Sequence, residues 1–274
     1  MCYPKGMQLT ISTFNIRNFG TGGDYNGKLG KESRLETLEQ LITQELSDCD
    51  VMVFQEIFDL KSFKKLIPKN YKTQTYKAEV KRHQHVVICY KDSFVFEDAL
   101  KSDYILNGSA LNYPSSRPAV YGRICDLKGT PLAHIVGVHL KSGSEHYRNR
   151  ALQAEVITNY VKMMKPKLPV VVTGDFNTQS RFSTFKEQDD VADLSEIFSE
   201  AGLVKLKNPL KTFRTSWESH DLDHFWVCEK SIVSNETSVY EPENYLKLGD
   251  AKKSLNAYYS EISDHVPVKT TIEV

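Results

Sequence analysis

Six polar positions or pairs stand at the ends of apolar runs: Asn15, Gln55-Glu56, His139, Asp175 with Asn177, Asp223, and Asp264-His265. Singly, each has an ordinary explanation. Glu56 can be a strand-end acid facing solvent, Asp175 the start of an Asx turn, His139 a hydrogen-bonded core histidine, and Asp264-His265 a surface loop. Collectively they are the types that metal-assisted hydrolysis of a phosphate ester needs. That reaction must neutralise the non-bridging oxygens, deprotonate a water, stabilise the leaving oxygen and hold attack in line. Mg²⁺ meets the first need; it is hard, prefers oxygen ligands and commonly takes one or two protein carboxylates, with Mn²⁺ able to substitute. Glu56 is the first choice of ligand, with Asn15 and Asp264 beside it. His265 can act as base or orient the phosphate if Asp223 holds its other nitrogen. Asp175 can take a proton from water, and Asn177 can hydrogen-bond a phosphate oxygen.

Such residues must be positioned by strands. Short β-rich runs recur at Leu9–Phe14, Val51–Phe54, Val86–Tyr90, Val120–Cys125, Ala133–Leu140, Val170–Thr173, Leu222–Cys228 and Val266–Ile272. Several are apolar on consecutive positions, as strands covered on both faces are. Between them, Ser33-Arg34-Leu35-Glu36 reads as a capping box, followed by a stripe of Leu35, Leu38, Leu41, Ile42 and Leu46 at helical spacing. Further helices are expected over Glu145–Met164 and near Val191–Ala201, the latter ending at Gly202. Many strands with few long helices imply an α+β sandwich of two packed sheets with helices outside. The polar residues would gather at one rim. With no repeat and no low-complexity tract, residues 1–274 read as one domain.

Composition excludes several classes. Lys plus Arg equals Asp plus Glu, 35 each, so a protein that coats nucleic acid by bulk charge is disfavoured, while a local basic groove is not. The five cysteines, Cys2, Cys49, Cys89, Cys125 and Cys228, are scattered without a CxxC pair, which argues against a zinc ribbon or a disulfide framework. Neither a signal peptide nor a membrane span is seen. A monomer in the cytoplasm is expected.

The residues FNIRNFG (14–20), FQEI (54–57), HLKSG (139–143), GDFN (174–177), LDHFWV (222–227) and SDH (263–265) occur in the order found in the endonuclease/exonuclease/phosphatase superfamily, whose members include DNase I and the abasic-site endonucleases. The chain resembles that superfamily from Phe14 to His265. The resemblance implies a four-layered α/β/β/α sandwich, a metal site of Asn15, Glu56 and Asp264, and His139 stabilising the transition state or protonating the leaving group. It also implies that Asp175 and Asn177 flank the scissile phosphate and that Asp223 pairs with His265. Ser116-Arg117-Pro118 looks like the phosphate-contacting loop of the DNase I-like branch, with Arg117 gripping the backbone. Lys141, Arg148 and Arg150 follow His139 and can meet phosphates, although Arg150 equally fits the start of a helix.

One position departs from the pattern. Gln84 stands where DNase I-like enzymes carry the Glu that partners the first histidine. Either His139 works unassisted, Glu79 reaches in, or the chemistry leans on the metal and the Asp223–His265 pair. The Lys-rich stretch Lys61–Lys91, with Arg82, His83 and His85, reads as a solvated face. The expected activity is nicking of DNA with low sequence specificity, by a Mg²⁺-dependent phosphodiesterase. The alternatives are a phosphatase or phosphodiesterase on inositol phosphates or phospholipid headgroups, and a degenerate member that only binds.

Overall fold

The computed structural model describes residues 6–21, 31–76, 84–97, 117–164, 167–178, 190–215, 218–242 and 251–274. Two six-stranded sheets form its middle layers. The first runs, in spatial order, β13 (Ser238–Val239), β14 (Val268–Glu273), β1 (Gln8–Phe19), β2 (Val51–Ile57), β4 (His85–Lys91) and β3 (Tyr71–Gln74). The second runs β5 (Phe94–Glu97), β6 (Val120–Asp126), β7 (Pro131–His139), β8 (Val170–Asp175), β12 (Asp223–Cys228) and β9 (Leu203–Lys205). Each sheet is mixed: β1 with β2 and β7 with β8 are parallel, and their neighbours are antiparallel. A parallel pair requires a crossover. Helix α1 (Lys31–Gln40) supplies the first and α3 (Tyr147–Met164) the second.

The sheets meet face to face where β2 and β4 approach β7. Gly137 lets them come close, since a Cβ there would stand 2.8 Å from Val53 Cγ1. On the outer face of the first sheet pack α1, α2 (Leu60–Leu66) and α5 (Ala251–Glu261), through Leu38, Phe63, Leu66 and Tyr258. Ala154, Ile157, Tyr160 and Val161 of α3 and Leu194 and Phe198 of α4 (Asp190–Ser199) cover the second, against Val136, Val138, Val172 and Trp226. The order is helix, sheet, sheet, helix. All eight expected strands are present; most run a residue or more beyond the expected bounds, while β7 stops at His139, β12 starts at Asp223 and β14 starts at Val268.

One local expectation changes, and several elements appear that the sequence did not suggest. The chain is already helical at Lys31, so Ser33 lies inside the first turn, past the N-cap position that a capping box requires, and its carbonyl accepts from Thr37 Oγ1 at 2.8 Å. Asp59 is a true N-cap, its carboxylate accepting from Lys61 and Ser62 N–H at 3.0 Å. Short, polar or edge elements (β3, β5, β9, β13, α2, α5 and a separate hairpin of β10, Phe213–Arg214, and β11, Ser219–His220) carry too few apolar residues to have been read. Glu79, Arg82, His83 and Ser116 lie outside the described residues. His85 is buried and its Nδ1 lies 3.2 Å from Tyr76 O. Among the described residues no helix is long and apolar enough to cross a membrane, and Cys49, Cys89, Cys125 and Cys228 are free thiols.

Candidate active site

The second sheet delivers three side chains by register alone. His139 lies opposite Asp175 across the β7–β8 pair, and Asp175 lies opposite Asp223 across β8–β12. His139 Nε2 is 3.4 Å from Asp175 Oδ2. After Asp175 the chain turns through Asn177, at φ +50°, whose N–H donates to Asp175 Oδ1 at 2.9 Å and whose amide donates to Leu140 O at 3.1 Å. Gly174 adopts φ +146°, and a Cβ there would fall 2.0 Å from Val138 O; only glycine lets β8 lie this close to β7.

The first sheet delivers Asn15 and Glu56 through distorted backbone. The β1–β2 register shifts after Asn15, where Arg17 and Asn18 take φ +46° and +48° and Glu56 takes φ +62°. Arg17 N–H donates to Asn15 Oδ1 at 2.9 Å, and Asn18 N–H donates to Glu56 Oε2 at 2.7 Å. Asn15 Nδ2 therefore faces inward, donating to Asp175 Oδ2 at 2.9 Å and Glu56 Oε1 at 3.2 Å. Asn15 thus ties the two carboxylates together across the sheets, while its Oδ1, which accepts from Arg17 N–H, keeps a second lone pair.

The C-terminal loop adds His265. Its Nδ1 is 2.7 Å from Asp223 Oδ2 and its Nε2 is 3.8 Å from Asp175 Oδ2, while the Phe213 ring packs edge-on at 5.0 Å between centroids. Thr212 Oγ1 accepts from Asp223 N–H and holds the acid in place. Asp264 faces outward, 3.6 Å from Arg17 Nε and partly exposed. Its charge is nonetheless felt by both Glu56 and His265.

Burial sets the electrostatics. It raises the Glu56 carboxyl against the hydrogen bonds of Asn15 and Asn18, and it pushes Asp175 up to about 6 despite the nearby His265. Burial alone would lower His265, but Asp223 and Asp175 outweigh it and raise it to about 10, which favours the charged ring. His139 is held well below the usual histidine range, first by burial and then by Arg117 and His265. Its Nδ1 is buried with no hydrogen-bond partner among the described residues. Among the described residues the carboxylates beside this ring, Asp175 and Glu56, lie at Nε2, and none partners Nδ1.

Glu56, His139 and Asp175 offer three ligand atoms within 4.8 Å of one another. A buried carboxylate, Asp175, and a half-buried one, Glu56, both with raised pKa values, are negative charge that a cation would compensate, so the donor set fits a divalent ion. The cationic residues differ in placement. Arg117 Nη1 donates to Leu140 O at 3.1 Å; burial lowers its pKa, while Glu56 and Asp175, close enough to be felt, pull it back up. Lys141 is held down by burial and by Arg117, and its Nζ donates to Ser142 O. Arg150 does not face the site. It is 1% exposed, paired with Asp190 and bonded to Lys141 O and Gly143 O, so it shapes the loop after His139 instead of gripping substrate.

Distant strand ends thus meet at one rim, and residues 12–265 match the family described as Endonuclease/Exonuclease/phosphatase family. The chain belongs to that family. Its members are phosphoester hydrolases, typically divalent-metal dependent. Among solved structures, this family member is similar to an endonuclease/exonuclease/phosphatase family protein from Bacteroides thetaiotaomicron, with 21% identity, TM-score 0.64 and 99% of each chain covered. It is also similar to truncated Caenorhabditis elegans TDP2, with 16% identity, TM-score 0.65, and 98% and 99% covered. The human Nocturnin catalytic domain is a third, with 17% identity, TM-score 0.64, and 97% and 95% covered. At these identities the likeness shows the sandwich fold alone. No curated protein sequence matches the chain.

Proposed function

We propose that this family member is a divalent-metal-dependent phosphodiesterase whose substrate is the DNA backbone, nicked with little sequence preference. The observation that carries the reading is the buried meeting of Glu56, His139, Asp175 and the Asp223–His265 pair, flanked by Arg117 and Lys141. A binding-only fold gains nothing from burying so much like charge at one point. A Mg²⁺ ion, or Mn²⁺ in its place, would be held by Glu56 with Asp175 and His139 near, and would supply neutralisation of the scissile phosphate.

The residues divide the remaining work. Asp175 accepts the proton of the attacking water, for which a pKa raised by burial suits it. His265, kept charged and oriented by Asp223, donates to a non-bridging oxygen. His139 serves the leaving oxygen through Nε2. Asn177 offers its second amide proton to the phosphoryl group, and Arg117 and Lys141 hold the flanking phosphates. We further propose that residues 1–274 work as one domain and as a monomer; the free, largely buried thiols support a reducing compartment such as the cytoplasm.

Purified protein incubated with supercoiled plasmid and Mg²⁺ or Mn²⁺ is expected to yield nicked circles, with no product in a chelator. Inorganic phosphate released from an inositol phosphate, with plasmid untouched, would replace DNA by the small ester. Binding of either without turnover in any metal would remove the enzymatic reading.

A further inference from the structure

Arg34 sits on α1 with only 4% of its surface exposed. Its guanidinium reaches main-chain carbonyls from two segments far apart in sequence. Nη2 donates to Ile16 O at 2.6 Å and Arg17 O at 2.7 Å, and Nε donates to Ile262 O at 3.1 Å. Ile16 and Arg17 directly follow Asn15; Ile262 directly precedes Ser263-Asp264-His265. Ser263 makes a second tie between the same two segments, its hydroxyl donating to Asn15 O at 2.7 Å and accepting from His265 N–H at 3.1 Å.

What is tied down is the backbone least able to hold itself. Arg17 and Asn18 both sit in the left-handed region, which side chains disfavour. From those conformations their N–H groups aim Asn15 Oδ1 and Glu56 Oε2. A bulge of this kind persists only where its surroundings over-determine it. The planar fork of arginine does so by spreading charge-assisted donors over three carbonyls. A lysine at 34 presents one compact ammonium and cannot span the same set.

We propose that Arg34 is a positioning residue for the phosphoesterase centre, its guanidinium locking the β1 bulge to the C-terminal loop. Asn15, Glu56 and His265 thereby keep fixed mutual positions. The assignment rests on the metal-dependent reading of the site given above.

The test measures Mn²⁺ affinity from the free-ion paramagnetic resonance signal, with kcat and KM on bis(p-nitrophenyl) phosphate, for wild type, Arg34→Lys and Ser263→Ala. Each is assayed at a temperature where its melting curve shows it folded. Arg34→Lys is expected to weaken Mn²⁺ binding by about 10–100-fold, as loss of groups that orient metal ligands does. Its kcat should fall by a comparable factor while KM for the ester moves less than about twofold, because the loss is in alignment rather than in substrate grip. Should Arg34→Lys fail to fold, Ser263→Ala carries the test, with about tenfold weaker Mn²⁺ binding expected from loss of the parallel tie. A folded Arg34→Lys, or in its place Ser263→Ala, with wild-type Mn²⁺ affinity overturns the proposal. A wild type that binds Mn²⁺ but cleaves no phosphate ester defeats the proposed activity, and Arg34 is then judged on the binding data alone. No Mn²⁺ binding by wild type overturns both.

Discussion

The two rims that build this site solve the same task by opposite means. On the second sheet His139, Asp175 and Asp223 are neighbours in register, so the ladder itself spaces them, with one glycine, Gly174, absorbing the close approach of β8 to β7. On the first sheet a regular ladder would fail. Asn15 pairs with Gln55, and residues in register share a face; Gln55 points between the sheets, bonding Thr13 Oγ1. Strand alternation would send Glu56 to the opposite, helix-covered face. The register shift and a positive φ at Glu56 turn its carboxylate back to the centre. An anchor that belongs to the wrong face of its strand can thus be recruited by storing strain, provided something else holds that strain.

Each rim has its own buried arginine, and substituting them separates the two strategies. Arg150→Met removes the cation paired with buried Asp190 and is expected to cost about 3–5 kcal/mol of stability in urea denaturation. The second rim is then a matter of folding, in contrast to the metal affinity expected to respond at Arg34. A loss under about 1 kcal/mol at Arg150 would show that the ladder holds without its clamp.

Next in size are the two side chains that approach Asp175 from outside the ladder. Glu56→Ala and His265→Ala are each expected to lower kcat by about two orders of magnitude or more in plasmid nicking. Retained turnover in either would remove the first-sheet rim from the chemistry. Acid should act on the other rim. With Asp175 raised to about 6, a proton competes with the cation below that pH, so Mn²⁺ affinity should fall by roughly tenfold per unit of further acidification. Asp175→Asn should flatten that dependence, and an unchanged slope in the variant would assign the competing proton elsewhere.

His139 follows, with an effect that depends on its missing partner. Its Nδ1 has no carboxylate to orient or charge it among the described residues, so His139→Ala should cost turnover only about tenfold, less than His265→Ala. Equal losses at the two histidines would contradict this asymmetry between a ring held by Asp223 and one held by packing.

The sequence disclosed the ladder better than the bulge. Runs such as 51–54, 86–90 and 170–173 are apolar without alternation because both faces are covered, and that pattern survives in one dimension. The polar residue at each run's end marked the rim. Nothing in the sequence marked the direction of the Asn15 amide, which one backbone N–H decides. Arg34 was hidden for a related reason: its described partners are main-chain carbonyls, which leave no residue type to recognise. Arg150 misled because a cation near a catalytic strand looks the same whether it faces phosphate or a buried Asp190.

The smallest effect probes the strain itself. Asn18 and Asn177 hold left-handed backbone at φ +48° and +50°, one on each rim. Asparagine tolerates that region and alanine does not, so Asn18→Ala should lose about 1 kcal/mol in equilibrium unfolding. Asn177→Ala carries the same backbone cost and also forfeits the amide bond to Leu140 O, so it should lose roughly 1 kcal/mol more. If Asn18→Ala proved the more costly of the two, the bulge on the first sheet would be held more tightly than its ties imply. Conversely, an Asn18→Ala that unfolds no more easily than wild type would mean that this backbone is not strained, and the contrast between ladder and bulge would lose its physical basis.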